Sequence, residues 1–590
     1  MDKVESLLVF SIGPVQSFIA AARKIEELWS GSYLLSYLAE KSIDFIYEQS
    51  ESHRIECEFI YPDVKKEELV PTGRAGEDIA SLPNRWVCRL ATSQEQAAML
   101  AEKTAERVQQ VMEEVCLNGF ERVFKNAKFS RKEELKTLIK QQVKQTLEIY
   151  WATESYDGNP HQGYKEARDR LEQRLAALKN EREFFPATQV GLVCTVCGER
   201  EALSAYPFEE DAKVGRMRNL LRQTWEQRHP SFRGNLESDH EEGHEGRIRN
   251  DEMLCGVCLG KRAARDYFSF EQQFESSHHY SNGTDYYAIL IMDGDNMGAW
   301  FNEGKGRAAN ESELDYHQRI SRKLARFSRN TVPKIVKDFK GRLVYAGGDD
   351  VLAFVPLYQA LELAASLRKA FEEEERGLGQ GATASMGLII AHVKAPLQLL
   401  LKDLRQLEGM AKSFVHPHTG KGKDALAIQL STRSGEKRQV VLPWKIAQLA
   451  SLSKGGKELE SVVQLYQNVI NHLKKDLSPT FLYAFGQAVL PLVGFNPREK
   501  LQLFAKGQGE NRLNESHKDR VLVETELQRL MNRSKQPEAS DFDVAQLARQ
   551  MAILHEAMSS TLSFVHLLEI ATFFRRKEGK ERHGRTASTG

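Results

Sequence analysis

Two short apolar runs, Leu343-Val344-Tyr345-Ala346 and Val351-Leu352-Ala353-Phe354-Val355, flank the tetrapeptide Gly347-Gly348-Asp349-Asp350. Strand, glycine turn, strand is the pattern of a β-hairpin. Paired glycines at the tip permit positive φ and let backbone come close to a phosphate. Paired carboxylates beside them suit a divalent cation, because Mg²⁺ takes carboxylate and phosphate oxygens. The tetrapeptide therefore offers a metal–nucleotide site at a hairpin tip. Taken alone, it is equally the pattern of a solvated acidic turn.

A second acidic motif changes that balance. Tyr286-Tyr287-Ala288-Ile289-Leu290-Ile291-Met292 reads as a buried strand running into Asp293-Gly294-Asp295-Asn296-Met297-Gly298. A carboxylate at the end of an apolar strand is unfavourable without a partner. From Glu311 to Phe339 the periodicity is helical, with Ile320, Leu324, Phe327 and Val336 apolar, and Pro333 breaking or kinking the helix. A right-handed strand–helix–strand crossover then sets Asp293 beside the Asp349/Asp350 turn on an adjacent strand. With Asp295 counted, three or four carboxylates meet at one sheet edge. Two-metal nucleotidyl transfer needs such a cluster, with ions about 4 Å apart on the attacking and leaving oxygens. Asp295 has a second reading, as a helix cap or turn residue.

The chain of 590 residues is long enough for three or four domains, and its pattern is α+β. Residues 1–155 show the β-α-β-β-α-β order of a ferredoxin-like palm with a helical insertion. Residues 156–284 hold the paired cysteines and a polar stretch from Arg228 to Asp251, read as a mobile loop. The ferredoxin-like order returns over residues 285–435, which include the Gly-Gly-Asp-Asp turn. Residues 436–574 read as helical without strand signals. The basic tail, residues 575–590, reads as disordered.

Cys194-Thr195-Val196-Cys197-Gly198 and Cys255-Gly256-Val257-Cys258 each have the form of a zinc knuckle. The 57 residues between Cys197 and Cys255 exceed the usual separation, and an inserted polar loop accounts for them. Structural Zn²⁺ on Cys194, Cys197, Cys255 and Cys258 is the favoured reading. A redox dithiol or two unrelated pairs are the alternatives. His240 and His244 are near in sequence but sit in the polar loop. Cys57, Cys88 and Cys116 have apolar neighbours and read as core.

Composition removes several classes. Lys+Arg and Asp+Glu both number 82, so the formal net charge is zero, against a free-standing, broadly basic nucleic-acid binder. Local contact with RNA stays open, and Arg216, Arg218, Arg222, Lys261 and Arg262 read as either RNA contacts or solvated surface. No apolar run approaches the roughly 18 residues of a membrane span, and no signal peptide is evident. Seven cysteines, four of them in Cys-X-X-Cys pairs, suit a reducing cytoplasm. No Walker A motif occurs, which disfavours a P-loop ATPase.

Together these motifs resemble the large polymerase/cyclase subunit of type III-B CRISPR RNA-guided effector complexes. The resemblance is carried by Phe10–Lys24, Leu28–Ser36, Pro83-Asn84-Arg85, the cysteine pairs, Asp293–Gly298, Gly347–Asp350, Ser385–His392 and Asp424–Ile428. It spans about residues 5 to 430. It implies two palms in one chain, partner subunits, guide RNA and target RNA. It also implies target-activated conversion of ATP into cyclic oligoadenylate with Mg²⁺ (or Mn²⁺), in antiviral defence. Under it, Asp349 and Asp350 hold the metal and triphosphate, Asp293 is a metal ligand and Asp295 a helper. Gly347, Gly348 and Gly294 lie against the nucleotide, and Gly31 and Ser32 contact a second ATP. Many relatives carry an N-terminal HD nuclease domain. This chain opens at the first palm strand and has no His-Asp dipeptide, so no HD-type DNase activity is expected in it. Three other readings stand beside this one. A free-standing diguanylate-type cyclase typically has Glu where Asp350 stands. Within the family, AMP is sometimes joined to S-adenosylmethionine. The chain could also be an inert RNA-binding scaffold.

Overall fold

The computed structural model describes residues 5–66, 81–181, 189–209, 213–233, 248–268, 285–416, 420–447, 449, 461–478, 480–490, 517–536, 542–558 and 560–586. Contacts divide the chain into two compact units. One takes Met1–Ser276, Met297–Asn330 and Val344–Asp349, and the other takes Ser277–Asn296, Thr331–Leu343 and Asp350–Gly590.

In the first unit, β1 (Glu5–Gly13) leads through the short α1 (Gln16–Ala20) into α2 (Ile25–Ser52). Then come β2 (Cys57–Tyr61), β3 (Arg85–Leu90), α3 (Gln94–Val123), α4 (Lys132–Thr146) and β4 (Glu148–Tyr156). The sheet order is β2-β3-β1-β4, with Ser11 opposite Arg85 on one side and Tyr150 on the other. This is the expected ferredoxin-like order. Strand β1 is buried almost throughout, which is why it reads as one unbroken apolar run. Its even positions face an aromatic layer in which Phe10 stacks on Trp86 at 5.0 Å. Its odd positions, Leu7 and Val9, pack with Tyr164, Ala167, Leu171 and Leu175 of α5 (Gln162–Asn180). The core of the first sheet thus draws on a helix beyond residue 155. Further on lie α6 (Val214–Glu226) and α7 (Gly256–Tyr267).

The second sheet begins with β5 (Tyr286–Gly294). It is followed by α8 (Met297–Asn302), α9 (Glu313–Arg326), a π-turn over Phe327–Thr331 and α10 (Val332–Asp338). Pro333 sits in the first turn of α10, where its missing N–H costs no hydrogen bond. The expected break is therefore a re-started helix. Strands β6 (Arg342–Gly347) and β7 (Asp350–Pro356) form the glycine hairpin. Then α11 (Ala360–Glu372), β8 (Ala384–His392), α12 (Leu397–Ser413), β9 (Ala425–Ser431) and β10 (Lys437–Pro443) follow. The order is β10-β9-β8-β5-β7-β6. Its β6-β7-β5-β8 portion repeats the order of the first sheet.

Strand β10 departs from the helical pattern expected from residue 436 onward. A turn with Gly435 at φ 88° folds the chain back, and Val440 and Leu442 become buried against β9. Beyond it the described chain is helical: α13 (Val462–Lys475), α14 (Thr480–Val489), α15 (His517–Ser534), α16 (Val544–Glu556) and α17 (Thr561–Thr586). Helix α17 runs through most of the tail expected to be disordered, since its Lys, Arg and Glu are good helix formers. No helix among the described residues is long and apolar enough to cross a membrane. His240, His244 and most of the polar stretch lie outside the described residues.

Candidate metal and nucleotide site

Asp293 is the penultimate residue of β5. Because Met292 pairs with Val351 across β5 and β7, Asp293 falls opposite Asp350, the first residue of β7. Gly347 closes β6, and Gly348 with Asp349 makes the turn. One carboxylate oxygen from each of Asp293, Asp349 and Asp350 lies within 4.8 Å of the others. The crossover from β5 leads to β6, and the strand that lies beside β5 is β7, the second arm of the hairpin. The two glycines serve different needs. Gly348 has φ 69°, which disfavours a side chain. At Gly347 a Cβ would run into the ring and hydroxyl of Tyr345, so that glycine is a matter of room.

Lys412 of α12 reaches the cluster, and motif reading missed it. Its Nζ donates to Asp293 Oδ2 at 2.6 Å and to Glu408 Oε1 at 2.9 Å. Burial works against this ammonium, yet the hydrogen bonds to Asp293 and Glu408 outweigh it and push its pKa up. From sequence, Glu408 and Lys412 are only an i,i+4 pair on a helix, a pattern that is usually solvated. A cation, the Lys412 ammonium, already sits against one of the three carboxylates.

Other expected residues lie elsewhere. Asp295 is not part of the cluster. It is 2% exposed and engaged by the Ser385 hydroxyl and the Asp424 N–H. Gly294 closes β5 opposite Ala384. Gly31 and Ser32 are buried within α2, so they offer no surface to a nucleotide. A Cβ at Gly31 would lie 2.8 Å from Cε of Lys261, and that glycine makes room for a lysine. Lys261 is buried and donates to the carbonyls of Phe18 and Ala21 at 2.5 and 2.8 Å. Its neighbour Arg262, fully buried, joins Glu27 at 2.5 Å and Glu252 at 2.8 Å. Both are therefore structural and not RNA-facing, while Arg216, Arg218 and Arg222 are exposed on α6.

The four paired cysteines come together. One sulfur from each of Cys194, Cys197, Cys255 and Cys258 lies within 4.8 Å of the rest, and Cys197 and Cys255 are 3.9 Å apart. Sulfurs around a tetrahedral zinc with Zn–S near 2.3 Å stand about 3.8 Å apart, so the donor set fits that ion. Gly198, at φ 68°, turns the first knuckle and donates to the Cys194 carbonyl at 2.9 Å. In the second knuckle the Cys258 N–H points to Cys255 Sγ at 3.4 Å. Cys88 and Cys116 are buried as expected, and Cys57 is partly so.

Residues 286–427 match the family model described as Cas10/Cmr2, second palm domain, and residues 7–117 match CRISPR-associated protein Cmr2, N-terminal. The CRISPR system Cmr subunit Cmr2 of Pyrococcus furiosus is 25% identical over 633 residues, covering 86% of this chain and 70% of that protein. Over both of these stretches the chain is similar to Cas10/Cmr2 proteins. A Cas10/Csm1 protein of Streptococcus thermophilus, described as a single-strand-specific deoxyribonuclease of subtype III-A, is 29% identical over 143 residues. That match covers 24% of this chain and 18% of the relative. Among solved structures, the type III-B Cmr-beta complex bound to cognate target RNA contains a similar chain. The TM-score is 0.57 at 15% identity, over 92% of this chain and 80% of that one, a likeness of fold.

Proposed function

We propose that this chain is the large subunit of a type III-B effector complex and synthesises cyclic oligoadenylate from ATP when the complex holds target RNA. The observation that carries the proposal is the convergence of Asp293, Asp349 and Asp350 beside the Gly347-Gly348 turn. These carboxylates would hold Mg²⁺ (or Mn²⁺), which when bound supplies neutralising charge at the attacking and leaving oxygens. The residues themselves position and orient. The turn brings backbone close to the triphosphate, and Lys412 can pass from Asp293 to a phosphate oxygen. The 3′-hydroxyl of one ATP is then held in line with the α-phosphate of the other, and pyrophosphate leaves.

The first palm supports an asymmetric reading. Where Asp293 faces Asp350 in the second sheet, Ser11 faces Arg85 in the first, a pair that does not suit a divalent cation. The four cysteines would hold structural Zn²⁺ and so fix α7, which carries Lys261 and Arg262 against α1 and α2. The thiols suit a reducing cytoplasm. The partners are the other complex subunits, guide RNA and target RNA, with ATP as substrate and no membrane.

The test uses the chain assembled with its partner subunits and guide RNA, Mg²⁺ and labelled ATP, with and without target RNA. An Asp349→Ala/Asp350→Ala variant runs alongside, and a parallel reaction contains S-adenosylmethionine. Target-dependent oligoadenylate that is lost in the variant supports the proposal. Product only in the parallel reaction transfers it to AMP–S-adenosylmethionine conjugation. No product in either, with target RNA bound tightly, leaves an inert scaffold.

A further inference from the structure

Asp295 sits two residues after Asp293, yet its surroundings differ in kind. Its Oδ1 accepts the Ser385 hydroxyl of β8 at 2.7 Å, and its Oδ2 accepts the N–H of Asp424, just before β9, at 3.0 Å. Its own N–H donates to the Thr383 carbonyl at 2.8 Å. The Asp424 carboxylate is gripped in turn by Arg368 of α11, through Nε at 2.5 Å and Nη2 at 3.0 Å. Arg368 is itself buried, at 4% exposed. Arg368, Asp424, Asp295 and Ser385 thus form one chain of hydrogen bonds, buried except at the half-buried Asp424, that ends beside Asp293.

The backbone at this point is unusual. Asn296, Lys423 and Asp424 hold φ of 56°, 65° and 50° without being glycine. A Cβ disfavours that region, and such residues persist where their surroundings over-determine the backbone. Here two fixed anchors do so: Asp295 receives the Asp424 N–H, and Arg368 holds the Asp424 carboxylate. Across this joint Lys423 Nζ reaches Asn296 Oδ1 at 2.7 Å, joining the loop after β5 to the loop before β9. Asp293 and Gly294 also pair with Ser385 and Ala384 of β8, so Ser385 touches both the strand end and the carboxylate that follows it.

We infer that Asp295 is a positioning residue, which locks the Asp293-bearing end of β5 to β8 and to the strained 423–424 turn without ligating metal itself. The inference rests on the nucleotidyl transfer proposed above and assigns Asp295 a different part from that of Asp293. An asparagine can still accept the Asp424 N–H and donate to Ser385, so Asp295→Asn keeps the joint and loses only the charge. Asp295→Ala breaks it, and Ser385→Ala removes one of its bonds.

The test measures Mn²⁺ affinity by electron paramagnetic resonance, steady-state kinetics in the assembled complex, and amide hydrogen exchange at Asn296 and Asp424. Asp295→Ala is expected to lower kcat about tenfold with the KM for ATP little changed, Asp295→Asn to recover most of that loss, and Ser385→Ala to fall between. Mn²⁺ affinity in Asp295→Asn is expected to stay within about twofold of the parent, since a neighbour that orients a ligand donates no electron pair to the ion. A loss of Mn²⁺ affinity of about tenfold or more in Asp295→Asn would make Asp295 a ligand and overturn the inference. An unchanged kcat in Asp295→Ala would equally overturn it. If the parent complex makes no nucleotidyl product, the proposed reaction fails, and exchange then decides the positioning claim alone. Faster exchange at Asn296 and Asp424 in Asp295→Ala supports it, and unchanged exchange overturns it.

Discussion

Replacing Lys412 with methionine removes one positive charge from the edge of a three-carboxylate cluster and keeps most of the stem. The Lys412 ammonium is 2.6 Å from Asp293 Oδ2. A Mg²⁺ ion on that carboxylate, at about 2.1 Å from oxygen, would stand roughly 4 Å from the ammonium. Charges of one and two at that separation repel by about 2 kcal/mol even at the dielectric constant of water. The lysine side chain is 34% exposed and its stem is flexible, so part of that repulsion is relieved when the ammonium swings out. The expected gain is 1–2 kcal/mol, or about five- to thirtyfold tighter cation binding in Lys412→Met. Without a divalent ion the sign reverses, because Asp293, Asp349 and Asp350 lose their counter-charge. A loss of about 1 kcal/mol follows, or roughly 1–2 °C in Tm for a unit of this size. Mn²⁺ titration and thermal melts with and without Mg²⁺ measure both effects. Mn²⁺ affinity that is unchanged or weaker in Lys412→Met would refute the reasoning, since Lys412 and the cation would then not share Asp293.

Four further outcomes follow from the same structure. Gly348→Ala, at φ 69°, should cost about 1 kcal/mol in thermal melts. Gly347→Ala should cost about 1–3 kcal/mol through Tyr345, and a second change, Tyr345→Ala, should recover part of it. With zinc on the four cysteines as proposed, Cys255→Ser should abolish zinc binding in metal analysis and cost several kcal/mol, whereas zinc retained at full stoichiometry would exclude the four-sulfur site. Burial depresses His317 and His555 to about 4. The unfolded chain takes up these protons near pH 6.5 and the folded chain resists until about pH 4. The stability concerned is complete above pH 6.5 and is lost as pH falls through that window, at up to about 3 kcal/mol per histidine. Urea midpoints that stay flat between pH 7.5 and 5 would count against this.

The ferredoxin-like order and the acidic cluster were legible because each depends on local pattern. Apolar runs broken by glycine turns give strands, and strand ends place Asp293, Asp349 and Asp350. The cysteine pairs were legible for a similar reason, since ligand spacing is a local property. Lys412 was not, because only tertiary folding brings α12 to the end of β5. Asp295 looked like Asp293 in sequence, and what separates them is the partner each meets: Lys412 for one, Ser385 and the Asp424 N–H for the other. Gly31 and Ser32 looked like a ligand-binding glycine and serine, yet their place is dictated by Lys261, which arrives from α7 far along the chain. Strand β10 escaped because its buried positions are few and its outer face is polar.

The most direct test of the central claim uses ATP with sulfur at either non-bridging position of the α-phosphate, given to the assembled complex with target RNA. Mg²⁺ binds sulfur poorly and the softer Mn²⁺ accepts it better. If Asp293, Asp349 and Asp350 hold cations against that phosphate, one diastereomer should react slowly with Mg²⁺ and recover by about tenfold or more with Mn²⁺. The Asp349→Ala/Asp350→Ala variant should then turn over neither. Equal rates for both diastereomers with both ions, or turnover that survives in the variant, would contradict the account.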